Sequence, residues 1–264
     1  MKHQFKLSAV ALGLLSLASI NAHAQGDAGF VASSMFTTTQ SYAGASFGSP
    51  LAFGAAWGDA GIGVYGQTVR NAPSGYNGTD GSAAVAVGVG DPDKYVGLEG
   101  VAGFSSLRGK GGGGAFGSGG FALKLHTNLP GSAAFAVGVT DIGRFGNSKK
   151  TNRSSAYAVA TKVFAIGSGA NSHPLVVNLG LGDQQFNDLG THNGGAGVFG
   201  SAAFYVVRQV SVIADYTGSF LNLGISAAPI KSLPLTITLG AVNVTNRLGT
   251  KVAFAGTLGY AIHF

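Results

Sequence analysis

The stretch Lys251 to Phe264, KVAFAGTLGYAIHF, decides the fold. Counted back from the terminal Phe264, every second side chain is large and apolar or a glycine: Ile262, Tyr260, Leu258, Gly256, Phe254 and Val252. His263, Ala261, Gly259, Thr257, Ala255, Ala253 and Lys251 take the positions between. Side chains alternate across a strand with a period of two, so the stretch predicts a strand with one bulky apolar face and one small or polar face.

The same period runs back through the chain in short segments broken by Gly, Asn, Asp, Pro and Ser clusters. Strands are expected near 60–69, 82–90, 95–105, 118–126, 133–141, 155–165, 174–182, 197–207, 209–217, 220–228, 235–243 and 251–264. The count is about twelve, with ten to fourteen compatible with the pattern. Val85, Val87 and Val89 alternate with Ala84, Ala86 and Gly88, and Phe121, Leu123 and Leu125 with Ala122, Lys124 and His126. Phe135, Val137 and Val139 alternate with Ala134, Ala136 and Gly138, and Val159, Thr161 and Val163 with Ala158, Ala160 and Lys162. In each, the bulky set is expected outside and the small or charged set inside. Connections alternate between long polar ones (70–81, 106–117, 142–154, 183–196, 244–250) and shorter ones, the exception being a tight Thr217-Gly218 turn on the long side. An even strand count places the first and last strand ends together, on the short-turn side.

Charged residues make up 10% of the chain, against roughly 25% in soluble domains. Glycine reaches 45 of 264 residues. So few charges suit a barrel whose outer wall meets hydrocarbon. The absence of cysteine excludes disulfides, thiolate metal sites and cysteine nucleophiles. Residues 1–24 read as a removable signal peptide: Lys2 and Lys6, an apolar run from Leu7 to Ile20, then Ala22-His23-Ala24 ahead of Gln25. That run is shorter than the roughly 20 residues of a spanning helix. Its removal lowers the net charge from +6 to 14 bases against 10 acids.

The signal peptide, the alternation over 60–264 and the aromatic ending at Phe264 together resemble the bacterial outer-membrane β-barrel proteins of porin-like type. The resemblance implies an all-β, transmembrane antiparallel up-and-down β-barrel in the cell outer membrane. It also implies outer-membrane lipid and the β-barrel assembly machinery as partners, with Phe264, Ile262, Tyr260 and Leu258 as the assembly signal. The stretches VGVGDPDKYVGLE (87–99), YAVATKVF (157–164) and SVIADYTGSFLNLGISAAPIKSLPLTIT (211–238) look like parts of barrel-type bacterial proteins. That likeness carries no activity, so no functional residue is transferred from it. The chain then divides into a signal peptide (1–24), a periplasmic lead or lumen plug (25–59) and the barrel (60–264).

Parity places Glu99, Lys124, His126, Lys162, Asn178, Asp215, Asn222 and the rim residue His263 inside. Ionisable groups at membrane depth face water or one another. These residues form either a selectivity lining or ordinary interior polar groups that hold neighbouring strands. The outside loops collect Arg70, Arg108, Lys110, Arg144, Lys149, Lys150, Arg153 and Arg247, with Lys251 at the edge, against Asp80, Asp141, Asp183 and Asp188. Such bases either pair with lipid phosphate and draw in anions, or are simply solvated; nucleic acid is disfavoured by the export signal.

Gly61 to Gly66 spells G-x-G-x-x-G, but inside an alternating strand with no helix after it, which removes the dinucleotide reading. Gly111 to Gly114 beside Arg108 and Lys110 lack the Gly-Lys-Ser/Thr of a phosphate loop. No catalytic residue, cofactor or metal is expected. The histidines at 126, 173, 192 and 263 are spread apart, and His192 with Asp183 and Asp188 is a loop coincidence. Twelve strands exceed the roughly eight whose side chains fill an interior, so the small inward residues imply space. Either water or a small solute occupies it, or residues 25–59 do. A passive channel for small solutes follows from an open lumen. A non-conducting structural or interaction barrel, binding surface polysaccharide or a partner through its loops, is the alternative.

Overall fold

The computed structural model describes residues 42–69, 78–105, 107–108, 115–146, 154–187, 195–247 and 251–264. The expected signal peptide and the first part of the 25–59 segment, to residue 41, lie outside the described residues. Twelve strands form one closed antiparallel barrel in up-and-down order, each pairing with its chain neighbours and the last with the first. They are β1 (Asp59–Val69), β2 (Gly78–Gly90), β3 (Gly97–Phe104), β4 (Gly119–Leu129), β5 (Ala133–Phe145) and β6 (Ser155–Ile166), then β7 (His173–Gly182), β8 (Gly197–Val207), β9 (Val210–Tyr216), β10 (Leu221–Ala227), β11 (Leu235–Val242) and β12 (Ala253–His263). The seam joins β1 to β12 from Asp59 opposite His263 to Gln67 opposite Ala255.

Turn chemistry sets the hairpins. Residues 208–209 alone join β8 to β9. Between β9 and β10 the Thr217 N–H donates to the Phe220 carbonyl at 3.0 Å. Gly218 sits there at φ 95°, which a side chain would strain. Asp59 and His263 meet at the short-turn end, so both ends of the barrel sequence lie together.

The outer face is apolar all the way round. Val87, Phe121, Leu123, Phe135, Leu179, Leu181, Ile225, Leu239, Phe254 and Leu258 are all exposed on it. The inner face is not empty. Residues 42–57 enter it from the short-turn end, and most of them are buried. A 3-10 turn at Gln184–Phe186, between β7 and β8, adds the buried Phe186 nearer the long-connection end.

One strand has the opposite parity to that expected. In β6, Tyr157, Val159 and Thr161 are buried inside, while Ala156 and Ala160 are exposed. Lys162 therefore does not face the lumen: its Nζ donates to the Gly131 carbonyl at 2.5 Å in the β4–β5 turn, at an exposed position. The reason is packing. Inside the barrel the Tyr157 ring meets Phe186 and Phe199 edge-on, with centroids 5.4 and 6.1 Å away. Opposite it in β5 stands Gly138, where any Cβ would overlap that ring. An occupied interior accepts large side chains that an open one would leave wet.

Candidate functional site

In the stretch Tyr42 to Trp57, YAGASFGSPLAFGAAW, eleven of sixteen residues are Gly, Ala, Ser or Pro, and the large ones are Tyr42, Phe47, Leu51, Phe53 and Trp57. It makes no strand, so its backbone groups need partners from elsewhere once they leave water. Side chains of the barrel wall provide them. An ascending arm, 42–49, runs from the short-turn end along β8 to β11. A returning arm, 50–57, comes back along β7, β6, β4 and β3 and leads into β1.

On the ascending arm, Thr236 Oγ1 donates to the Tyr42 carbonyl at 3.1 Å and Tyr205 Oη to the Ala43 carbonyl at 2.8 Å. The Ala43 N–H donates to the Arg208 carbonyl at 3.1 Å. Ser226 Oγ accepts from the Gly44 N–H at 2.6 Å, Ser211 Oγ donates to the Gly44 carbonyl, and Ser201 Oγ donates to the Ala45 carbonyl at 3.1 Å. At the tip, one carboxylate organises the turn. Asp215 accepts from Ser46 Oγ (2.6 Å), the Phe47 N–H (3.0 Å), the Ser49 N–H (3.1 Å) and Ser49 Oγ (2.9 Å). A buried carboxyl group that meets four donors is well satisfied.

On the returning arm, the Pro50 carbonyl accepts from Asn178 Nδ2 at 2.8 Å, and proline has no N–H to satisfy. Thr161 Oγ1 accepts from the Ala52 N–H at 2.8 Å and donates to Asn178 Oδ1 at 2.7 Å. Lys124 Nζ lies 3.1 Å from Glu99 Oε2 and donates to the Phe53 carbonyl at 2.9 Å. Glu99 Oε2 also accepts from the Ala55 N–H at 2.9 Å. His126 Nε2 is 2.9 Å from the Ala55 carbonyl, which can only accept, so that nitrogen carries the proton. Lys124 and Glu99 are directly opposite each other in the β3–β4 register, which is why the pair forms.

Of the expected inward residues, the structure brings Glu99, Lys124, His126, Asn178 and Asp215 onto the inserted segment. Asn222 is also inside, with Oδ1 accepting from the Asn243 N–H at 3.0 Å. His263 is at the rim, 2.7 Å from Asp59 Oδ1 across the seam. Leu258, Tyr260, Ile262 and Phe264 are exposed on the outer face, as their parity requires. Arg108, at the opposite end, donates through Nη1 to Thr79 at its carbonyl (3.2 Å) and Oγ1 (3.1 Å). Arg144 lies on β5, half-buried. Lys110, Lys149, Lys150 and Arg153, with Arg70, Asp188 and His192, lie outside the described residues. At the short-turn end the exposed Asp91 carboxyl is held below its ordinary range chiefly by a hydrogen bond from the Lys94 side chain, 3.0 Å away.

The hydroxyl groups of Ser201, Tyr205, Ser211, Ser226 and Thr236 escape a reading that looks for charges, although their strand parity already places them inside. Chemically, the site binds a main chain. No protein-family model matches the sequence, and no curated protein matches it.

Proposed function

We propose that the protein is a bacterial outer-membrane β-barrel whose lumen is closed by its own residues 42–57. It is a non-conducting barrel that works through the surfaces at its two ends rather than a passive pore for solutes. The observation that carries this reading is the inserted segment, whose backbone is bonded to wall side chains from both sides. A loosely placed leader would leave its N–H and C=O groups to water. Here many of them are taken up by Asp215, Glu99, Lys124, His126, Asn178 and six wall hydroxyls.

Membrane placement is supported by the continuous apolar exterior and by strand lengths of 7 to 13 residues, close to the roughly 9–11 that a tilted spanning strand needs. In this account the signal peptide directs export, and the assembly machinery reads the closing strand with Leu258, Tyr260, Ile262 and Phe264. The short-turn end, holding Asp59 and His263, then faces the periplasm. At the outside end, Phe104 meets Phe116 and Phe145 edge-on at centroid distances of 5.5 and 6.0 Å. Phe116 is 54% exposed. An aromatic ledge with Arg108 and Arg144 on neighbouring elements suits the sugar faces and phosphates of surface polysaccharide.

Planar-bilayer recording tests the reading. Purified protein that migrates as a heat-modifiable band should insert and remain silent. Discrete steps of conductance in repeated insertions would overturn it in favour of a pore.

A further inference from the structure

The two arms of the inserted segment are held differently. The returning arm meets the charged pair Glu99 and Lys124 and continues covalently into β1. The ascending arm meets hydroxyls and one carboxylate, and its covalent tie to the barrel runs only through Pro50 and the returning arm. It takes part in no strand pairing, so it can thread out at the short-turn end without opening the sheet. At that end the Tyr42 ring lies 6.0 Å from the Arg208 guanidinium.

The slot around this arm has the properties of a receptor for an extended polypeptide. Ser201, Tyr205, Ser211 and Thr236 donate to main-chain carbonyls, and Ser226 and Asp215 accept from main-chain N–H groups. Such contacts recognise a backbone whatever sequence carries it. Selectivity comes from size. A Cβ at Gly44 would stand 2.6 Å from Ser226 Oγ, so only a very small residue fits there. The buried Phe47 ring is the single large anchor and lies over glycines: a Cβ at Gly240 would come within 2.6 Å of its Cε1. The far end is closed where Gly48 lies against the β9–β10 turn, a Cβ there standing 2.7 Å from Thr217 Cγ2.

The resident arm also leaves something unused. Asn222 Nδ2 is fully buried and has no hydrogen-bond partner among the described residues. It lies 3.3 Å from where a Cβ at Gly48 would stand. A donor facing the occupant and left unpaired marks a position that another occupant, with an acceptor there, satisfies better than this arm does.

We infer that the wall of β8 to β11 is a peptide-binding slot, and that residues 42–49 are its resident competitor. The ligand class is an extended segment of another polypeptide, rich in Gly, Ala and Ser around one Phe, entering from the short-turn end. The inference rests on the proposed orientation of a closed barrel, which places that entrance in the periplasm.

The test uses the full chain in detergent micelles and a labelled synthetic peptide with the sequence of residues 42–49. Phe47→Asp puts a carboxylate on the glycine floor beside Asp215 and expels the arm. Ser46→Ala/Ser49→Ala loosens it more gently, in case the first variant does not fold. Because the natural chain has no cysteine, Gly44→Cys/Ser226→Cys gives a unique lock. A Cβ at residue 44 would be 2.9 Å from Ser226 Cβ, a shift of about 1 Å from the usual disulfide spacing.

A resident competitor lowers apparent affinity by the fraction of time it occupies the site. Peptide affinity should therefore rise at least about ten-fold in whichever arm variant folds. It should vanish in the oxidised lock and recover on reduction to the level of a slot that lacks the Ser226 hydroxyl, so the reduced form of the same variant is the reference. Equal binding to locked and unlocked protein would place the peptide elsewhere and overturn the inference. So would absence of binding to a folded arm variant. Heat-modifiable migration separates the two levels: a chain without it fails as a barrel, and a chain that has it but binds no peptide fails only as a receptor.

Discussion

Replacing Lys124 with methionine removes the one cation from a pair in which the side chains are 3% and 1% exposed and 3.1 Å apart. The Glu99 carboxylate would keep only the Ala55 N–H, and the Phe53 carbonyl would lose its donor. Breaking a buried pair from one side costs about 3–5 kcal/mol, because a charge is left without compensation. Glu99→Gln alone should cost a similar amount by stranding the ammonium. In the double variant no charge remains, and the amide oxygen introduced by Glu99→Gln can still accept from the Ala55 N–H. What persists is the unsatisfied Phe53 carbonyl, about 1–3 kcal/mol. The double variant should thus be more stable than either single one, with a coupling energy of at least about 2 kcal/mol. Urea unfolding in micelles measures it. The single tryptophan, Trp57, stands at the exit of the returning arm and reports the local environment by fluorescence. A Lys124→Met cost below about 1 kcal/mol, or strictly additive single costs, would refute the tight clamp on the returning arm.

Other perturbations separate the faces of the barrel. Leu179→Arg places a charge on the apolar exterior and should destabilise the inserted protein by about 2–4 kcal/mol if that position is at mid-depth, read by urea titration in lipid vesicles. Lys162→Ala, at an exposed position outside the lumen, should change stability by no more than about 0.5 kcal/mol in the same titration. Gly138→Val should cost about 1–3 kcal/mol by overpacking against Tyr157, visible as a lower unfolding midpoint. Tyr260→Asp with Ile262→Asp should stop assembly of the barrel into a lipid membrane, and a normal heat-modifiable band in membrane fractions would contradict the assigned face of β12.

The strand plan is legible in the sequence because a two-faced strand must alternate, and each of the twelve strands has an inner and an outer face in the closed barrel. Val85, Val87 and Val89 can only face outward when Ala84 and Ala86 lie on the packed inner face. The pattern fails at β6 for a physical reason. Tyr157, Val159, Thr161 and Val163 look like an outer face only if the interior is wet. With Phe186, Phe199 and Ala52 inside, that interior is a protein core, and the bulky set belongs there. The inserted segment itself has no periodicity to read, since its conformation is imposed by wall side chains more than 40 residues away. What its composition does show is slenderness over much of its length: Gly, Ala and Ser pass close beside the wall, and Phe47, Leu51 and Phe53 fill the space between. Strand parity finds the charges Glu99, Lys124 and Asp215, whereas half of their partners, being backbone atoms of 42–57, leave no trace in residue type.

The measurement that bears most directly on the closed lumen is oxidation of the Gly44→Cys/Ser226→Cys variant as the full chain folded in lipid vesicles. If residues 42–49 lie along β10 inside the lumen, the cross-link should form in nearly all of the folded protein and leave no thiol for a soluble alkylating reagent. Two free thiols in a heat-modifiable, folded barrel would show that the lumen is not closed by this segment.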